Sequence, residues 1–394
     1  MKIGIFTETF YPEISGVTTA CLELKEGLEN AGHDVYVFTV TNENADPKWD
    51  KDNNVFRVFS VPFVLFNERR IGLPVLSNAM SIIKKLQLDL IHTQSEFSLG
   101  TLGRKAAKKF GIPMVHTYHT MYEEYLHYLK LPKNDTTVKF VGKLIKKFTK
   151  RASAIITPSQ KTKDSLLTYD IKPKIYVIPT GIDLNKYSNI DQKEVDKIKK
   201  KYNITPESIC LISVSRLSNE KRLPVLLAYF AKTCEKYPDR KIRLLVVGDG
   251  PQKEILEKQV LDLGISNKVT FAGYVDWESI QNYYHAADIF VSASKSETQG
   301  LTYLEALAAN IPILAQEDPC LDYFLQDGKN GKSFDDQKSF TSSLNFLVDQ
   351  IQNNPDFKPA ENLYTRQDFI NKVISVYNGA IIQTKAKQKH SILA

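Results

Sequence analysis

The chain has 394 residues, 42% of them hydrophobic and 25% charged. That balance supplies a sizeable core, excludes a disordered or collagen-like chain, and at this length suits two domains rather than one. The net charge of +7 lies wholly in the first half: residues 1–190 carry 26 Lys and Arg against 19 Asp and Glu, residues 191–394 carry 26 of each. A basic field on one half favours an anionic partner surface; the alternative is plain solubility.

The opening residues, MKIGIFTETF, bring an acid at Glu8 and no long apolar core, so neither a signal peptide nor a spanning helix is expected. The pattern predicts a strand over Lys2–Thr7, a helix over Val17–Ala31 and a strand over Asp34–Thr41. Further strands are expected near Asp89–Thr93, Pro113–Thr117 and Ala152–Thr157, with amphipathic segments between them. The series restarts with Ser208–Val214, Ile242–Val247, Val269–Ala272, Asp288–Ser292 and Ile311–Ala315. Short apolar runs alternating with helical stretches imply parallel sheets covered on both faces. IPTGIDLNKYS, residues 178–188, reads as the linker. The expected division is 1–185, 186–365, and a helix and tail over 366–394, with the tail fraying from about Lys385. The fold class is α/β, two doubly wound Rossmann-like domains facing across a cleft, and ligands of such sheets bind beyond the carboxyl ends of the strands. The four cysteines, Cys21, Cys210, Cys234 and Cys320, show no metal spacing and read as buried thiols in a reducing cytoplasm.

Five segments carry candidate chemistry. Arg216 and Lys221 follow a strand, five residues apart, and could clamp a diphosphate, the Arg as a bidentate fork and the Lys as a point charge; the alternative is an exposed pair at a helix start. In SETQGLTYLEAL, residues 296–307, a polar loop with Gly300 leads into a helix near Leu301. Glu297 and Glu305 could each accept from a vicinal diol of a sugar or ribose; otherwise Glu297 caps the helix and Glu305 faces solvent. The turn at residues 6–19, with Gly16, has the layout of a phosphate-approaching loop, or of a plain connection. VHTYHTMYEEYLHYL, residues 115–129, holds His116, His119 and His127. His119 could orient a hydroxyl, His116 reads as a core residue, and the spacing does not suit a metal. KFVGKLIKKFTKR, residues 139–151, has six basic residues and no acid, with Phe140, Val141, Leu144, Ile145 and Phe148 on one helical face. It fits an interfacial helix on anionic lipid, or a helix whose apolar stripe packs on the sheet. Residues 63–76, FVLFNERRIGLPVL, could form a membrane wedge, or a loop and a core helix.

Four signatures agree in order and spacing: ISGV after the first strand, SRL…EK at 215–221, VVGDGP at 246–251, and the glutamate pair at 297 and 305. Together they resemble the large retaining glycosyltransferase family with the GT-B fold, along essentially the full chain. The stretches HTMYEEYLHY at 119–128 and SETQGLTYLEA at 296–306 look like those of the bacterial diacylglycerol α-glucosyltransferases. The resemblance implies that Arg216 and Lys221 hold the donor diphosphate, that Glu305 binds the ribose and Glu297 the transferred hexose, and that the backbone of Gln299, Gly300 and Leu301 supports the sugar. It implies that Gly16 and Gly248 lie against the donor and that His119 contacts the sugar or positions the acceptor. It departs from many relatives at Ser15-Gly16, where they carry two glycines, and at Gln299, where they carry Phe.

The expected activity is transfer of glucose from UDP-glucose to diacylglycerol, with no metal and no nucleic acid, by a protein peripheral to the inner face of the cell membrane through residues 63–76 and 139–151. The alternatives are a different acceptor (a glycolipid or a cell-wall or soluble sugar), UDP-galactose as donor, or a non-enzymatic nucleotide-binding module.

Overall fold

The computed structural model describes residues 1–13, 15–63, 66–124, 126, 132, 134–354, 359 and 363–393, with backbone only at 66–69, 124 and 389–393. The chain forms two compact units, residues 1–181 with 364–394, and residues 182–363. The expected linker is not loose: Ile182 and Tyr187 are buried in the core of the second unit, and Leu184–Ser188 is helical.

The first unit holds β1 (Lys2–Phe6), β2 (Asp34–Val40), β3 (Val55–Val58), an antiparallel hairpin of β4 (Ser60–Phe63) and β5 (Phe66–Gly72), then β6 (Leu90–Thr93), β7 (Met114–Thr117), β8 (Ala154–Thr157) and β9 (Lys174–Val177). Seven of these make one parallel sheet in the order β3-β2-β1-β6-β7-β8-β9. The hairpin stands where the alternative to a membrane wedge was a loop and a core helix. Phe6 and Phe38 stack at 4.7 Å on one face, and Phe38 stacks on Phe56 at 5.2 Å. The final helix, Arg366–Leu393, belongs to this unit: Arg366 pairs with the buried Glu23 and with Glu26 at 2.9 Å, and Tyr377 meets His92 Nδ1 at 2.6 Å. The helix runs on to Leu393 where fraying from Lys385 was expected. Its last turns are rich in Ala, Lys and Gln, good helix formers, and the Gln388 amide donates to the Gly111 carbonyl.

The second unit holds β10 (Ile209–Val214), β11 (Ile242–Val247), β12 (Val269–Gly273), β13 (Ile289–Ser292), β14 (Ile313–Gln316) and β15 (Gly331–Phe334), all parallel, in the order β12-β11-β10-β13-β14-β15. Successive residues feed opposite cores. Cys210, Ile212, Leu245 and Val247 pack on one face, Leu211, Leu244 and Val246 on the other. That alternation is what a sheet covered by helices on both sides requires.

Candidate functional site

In each sheet the strand order reverses once, between β1 and β6 in the first unit and between β10 and β13 in the second. Loops leaving the two strands at such a point diverge to opposite faces and open a crevice beyond their carboxyl ends.

The second unit fills its crevice with the residues singled out from the sequence. The loop after β10 carries Arg216 and Lys221; the loop after β13 carries Glu297 and Gln299. They meet in an ion pair, Lys221 Nζ to Glu297 Oε1 at 2.7 Å, with both side chains largely buried. Ser296 Oγ also donates to the Glu220 carbonyl at 3.3 Å. Glu297 therefore does not cap the following helix. The capping position over Leu301–Ala308 is Gly300, which has a left-handed backbone and no side-chain capping bond. A Cβ at Gly300 would lie 2.4 Å from the Tyr303 ring, so the turn accepts no side chain.

Arg216 is half-buried, and its loop is held from the side. Ser215 N–H donates to the Val247 carbonyl, and Leu217 N–H to that of Asp249. Gly248, with φ of 132°, allows this approach, since a Cβ there would sit 1.9 Å from the Ser215 carbonyl oxygen. The GDGP turn thus has a structural task, seating the arginine loop, that the sequence alone did not reveal. Gln299 is buried and Leu301 half-buried at the helix start.

Glu305 does not face solvent. It is 5% exposed, accepts from Tyr284 Oη at 2.8 Å, and has Tyr187 and Lys186 beside it. Burial raises its pKa above the ordinary carboxylate range, while the two hydroxyls and the lysine charge oppose that rise. Neither tyrosine was singled out from the sequence. The signal was present as YYH at 283–285, on a short helix one strand before the glutamate loop.

In the first unit the crevice residues follow β1 and β6. Glu8 accepts from Ser95, from Ser98 Oγ at 3.1 Å and from Leu99 N–H at 2.5 Å, at the start of the helix Ser98–Phe110. Burial raises its pKa, with those donors opposing. Glu96 accepts from Tyr122 and pairs with His116 Nε2 at 3.1 Å. His116 is fully buried and also bonded to Thr93, so it is a core residue. His119 Nε2 lies 2.7 Å from Gln94 Oε1, and burial pushes its pKa down to about 3. The ring is neutral at physiological pH. With the Gln94 amide oriented this way it carries its proton on Nε2 and offers Nδ1 as an acceptor. His127 lies outside the described residues. Glu8, Gln94 and Glu96 escaped the sequence reading, although each directly follows a strand next to the reversal.

Gly16 opens the helix Gly16–Asn30 behind the Ser15 cap and is exposed, and a Cβ there would meet no atom within 4 Å. Nothing in the fold itself requires glycine at this position. The basic segment falls on the helix Asp135–Thr149, and its apolar face divides. Ile145 and Phe148 are buried, whereas Phe140 and Leu144 are 58% and 52% exposed beside exposed Lys139, Lys143 and Lys147. Among the described side chains of residues 63–76, Val75 and Leu76 are apolar and exposed; residues 64–65 and the side chains of 66–69 lie outside the described residues.

Among the described residues no group of three or more His, Cys, Asp or Glu side chains gathers as metal ligands, and no helix is long and apolar enough to cross a membrane. The sequence has one D-x-D spacing, Asp50-Lys51-Asp52, but Asp50 is locked by a two-point ion pair to Arg57 at 2.6 and 2.8 Å.

Two parallel-sheet Rossmann-like domains, each with polar side chains gathered where its strand order reverses, are the components of a GT-B fold. The Anabaena protein HepE, solved with UDP and glucose, superposes with a TM-score of 0.74 at 18% identity, over 96% of this chain and 99% of that one. Sucrose-phosphate synthase from Thermosynechococcus elongatus gives 0.70 at 20% identity, over 100% and 99%. At these identities the likeness establishes the fold. Residues 14–186 match Glycosyltransferase Family 4, and residues 194–363 match Glycosyl transferases group 1. The α-monoglucosyldiacylglycerol synthase of Streptococcus pneumoniae is 37% identical over 97% of this chain and 86% of its own length; that of Acholeplasma laidlawii is 36% identical over 87% of each. The chain belongs to this glycosyltransferase family.

Proposed function

We propose that this protein transfers glucose from UDP-glucose to the free hydroxyl of diacylglycerol, with retention at the anomeric carbon, on an anionic membrane surface. The observation that carries the reading is the 37% identity to a monoglucosyldiacylglycerol synthase, because it runs through the first unit as well as the second. The donor half alone would support any acceptor, whereas similarity through residues 14–186 bears on the acceptor too.

In this reading Arg216 and Lys221 bind the diphosphate, and Glu297 both orients Lys221 and accepts from a hexose hydroxyl. Glu305 accepts from the ribose, and the backbone of Gln299, Gly300 and Leu301 supports the sugar. Gly16 keeps the first loop free of a side chain where the donor approaches. Neutral His119 acts on the acceptor side as a hydrogen-bonding group, not a cation. The acceptor oxygen attacks the anomeric carbon on the face the diphosphate leaves. The carbon–oxygen bond to the β-phosphate breaks, and the hydroxyl proton passes to a departing phosphate oxygen. The chain's contribution is electrostatic: two fixed cations meet the charge that grows on the leaving group.

Because those cations neutralise the leaving diphosphate, transfer is expected to persist after EDTA treatment. Activity that returns only with Mg²⁺ or Mn²⁺ would contradict this. The test of the whole reading is product formation from radiolabelled UDP-glucose and diacylglycerol in anionic vesicles, beside UDP-galactose and a lipid-free control. A labelled monoglucosyl lipid supports it. Donor hydrolysis without lipid product would keep the donor site and overturn the acceptor.

A further inference from the structure

We propose that Tyr284 and Tyr187 are positioning residues that fix the Glu305 carboxylate as a ribose acceptor and so set the preference of the donor site for ribonucleotides over 2′-deoxyribonucleotides. The inference rests on the reading of Glu305 as the ribose-binding group.

An isolated carboxylate buried to 5% exposure is costly, and such a group persists in ionised form only with donors around it. Glu305 has an asymmetric set. Tyr284 Oη donates to Oε2 at 2.8 Å, the Tyr187 hydroxyl also bonds the carboxyl, and Lys186 adds a nearby positive charge. Every member of this shell is itself locked. Tyr284 is fully buried and Tyr187 nearly so, their rings packed edge to face at 6.2 Å. The Tyr187 carbonyl is bonded to His285 Nε2 at 2.7 Å. Lys186 donates to the Trp277 carbonyl at 2.7 Å and lies 3.2 Å from the centre of the Trp277 ring. Two helices thus converge on one carboxylate, Leu184–Ser188 and Ile280–His285, and the loop at 277 holds Lys186 in place.

A carboxylate has about four lone-pair directions. The tyrosines engage some of them from the protein side and leave acceptor capacity for a vicinal diol. A core glutamate that only needed satisfying would have protein donors on all of its lone-pair directions. A diol acceptor must instead be ionised and fixed in rotation, because each ribose hydroxyl donates to it. Burial lifts the Glu305 pKa, and Tyr284, Lys186 and Tyr187 oppose that rise.

The experiment is calorimetric titration of the full chain with UDP and with 2′-deoxy-UDP, for the wild type and for Tyr284→Phe, Tyr187→Phe and Glu305→Gln. The wild type is expected to bind UDP roughly 10- to 100-fold more tightly than its deoxy analogue, the worth of one hydrogen bond to a charged acceptor. Glu305→Gln should bring that ratio close to one. Each Tyr→Phe change should lower it severalfold, through weaker UDP binding with 2′-deoxy-UDP almost unchanged. A merely structural tyrosine would weaken both ligands alike. If Glu305→Gln collapses the ratio while both Phe variants keep it, the positioning role is overturned and the ribose assignment stands. If Glu305→Gln keeps the ratio, the ribose assignment falls and the positioning role with it. Tyr187→Phe provides an independent arm should Tyr284→Phe fail to fold.

Discussion

Replacing Arg216 with alanine is expected to lower kcat by roughly 10²- to 10³-fold, the usual loss when one preorganised group facing transition-state charge is removed. The melting temperature should stay within a few degrees. The two effects separate because of how the loop is built. Its shape is set by backbone bonds from Ser215 and Leu217 to the glycine turn at 248–250, and by Leu217, which is fully buried. The Arg216 side chain is half-buried and belongs to neither hydrophobic core. Removing it takes away a charge without opening a cavity, and substitutions of that kind seldom cost much stability. Arg216→Lys should recover part of the rate, since an ammonium supplies charge but not the planar two-point fork. The diagnostic is a fall in kcat with a smaller change in KM for the donor, as expected of contacts that strengthen when the leaving group becomes charged. An unchanged rate would remove Arg216 from the reaction.

The strand order explains why so much of this site was legible in the sequence. Lys221 and Glu297 are 76 residues apart, yet each follows a strand beside the reversal, so locating strand ends was enough to place them together. The chemistry of the residue types singled out each of them, though not their ion pair. What stayed hidden depended on packing. Tyr187 and Tyr284 look like ordinary core aromatics, and nothing local indicates that their hydroxyls converge on Glu305. Gly248 reads as a ligand-approach glycine, whereas its clash-limited neighbour is the Ser215 carbonyl of its own chain. The hairpin β4–β5 was missed because its apolar residues and paired arginines lack clean alternation, and β3, β9 and β15 because each is short and carries a charged residue (Arg57, Lys174, Lys332), so no apolar run stands out. The helix at 139–151 was expected to bury or to expose its apolar stripe as a whole. The structure divides that stripe, because the 100° step between residues turns Phe140 and Leu144 away from the sheet while Ile145 and Phe148 face it.

That division makes the membrane reading testable at three side chains. Lys139, Lys143 and Lys147 lie four residues apart on one exposed line, next to the line of Phe140 and Leu144. Lys146, by contrast, is already engaged with Asp170. The triple change Lys139→Gln, Lys143→Gln, Lys147→Gln is expected to weaken binding to phosphatidylglycerol-rich vesicles by about 10²-fold, at about 1 kcal/mol for each basic residue near the surface. Binding to zwitterionic vesicles should hardly change, and the salt dependence on anionic vesicles should flatten, because the lost term is screened within a Debye length. Phe140→Ser with Leu144→Ser should act differently. It removes apolar area, so it should weaken binding on both vesicle types and leave the salt dependence as it was. Neither set touches the buried face of the helix, so the melting temperature serves as the control. UDP affinity serves as a second control, because none of these residues belongs to the donor unit. Lipid glucosylation in vesicles should fall with vesicle binding, and recover when diacylglycerol is supplied in detergent micelles that need no electrostatic capture. Wild-type binding by both variants would place the membrane contact elsewhere on the chain and reduce the charge excess of residues 1–190 to a matter of solubility.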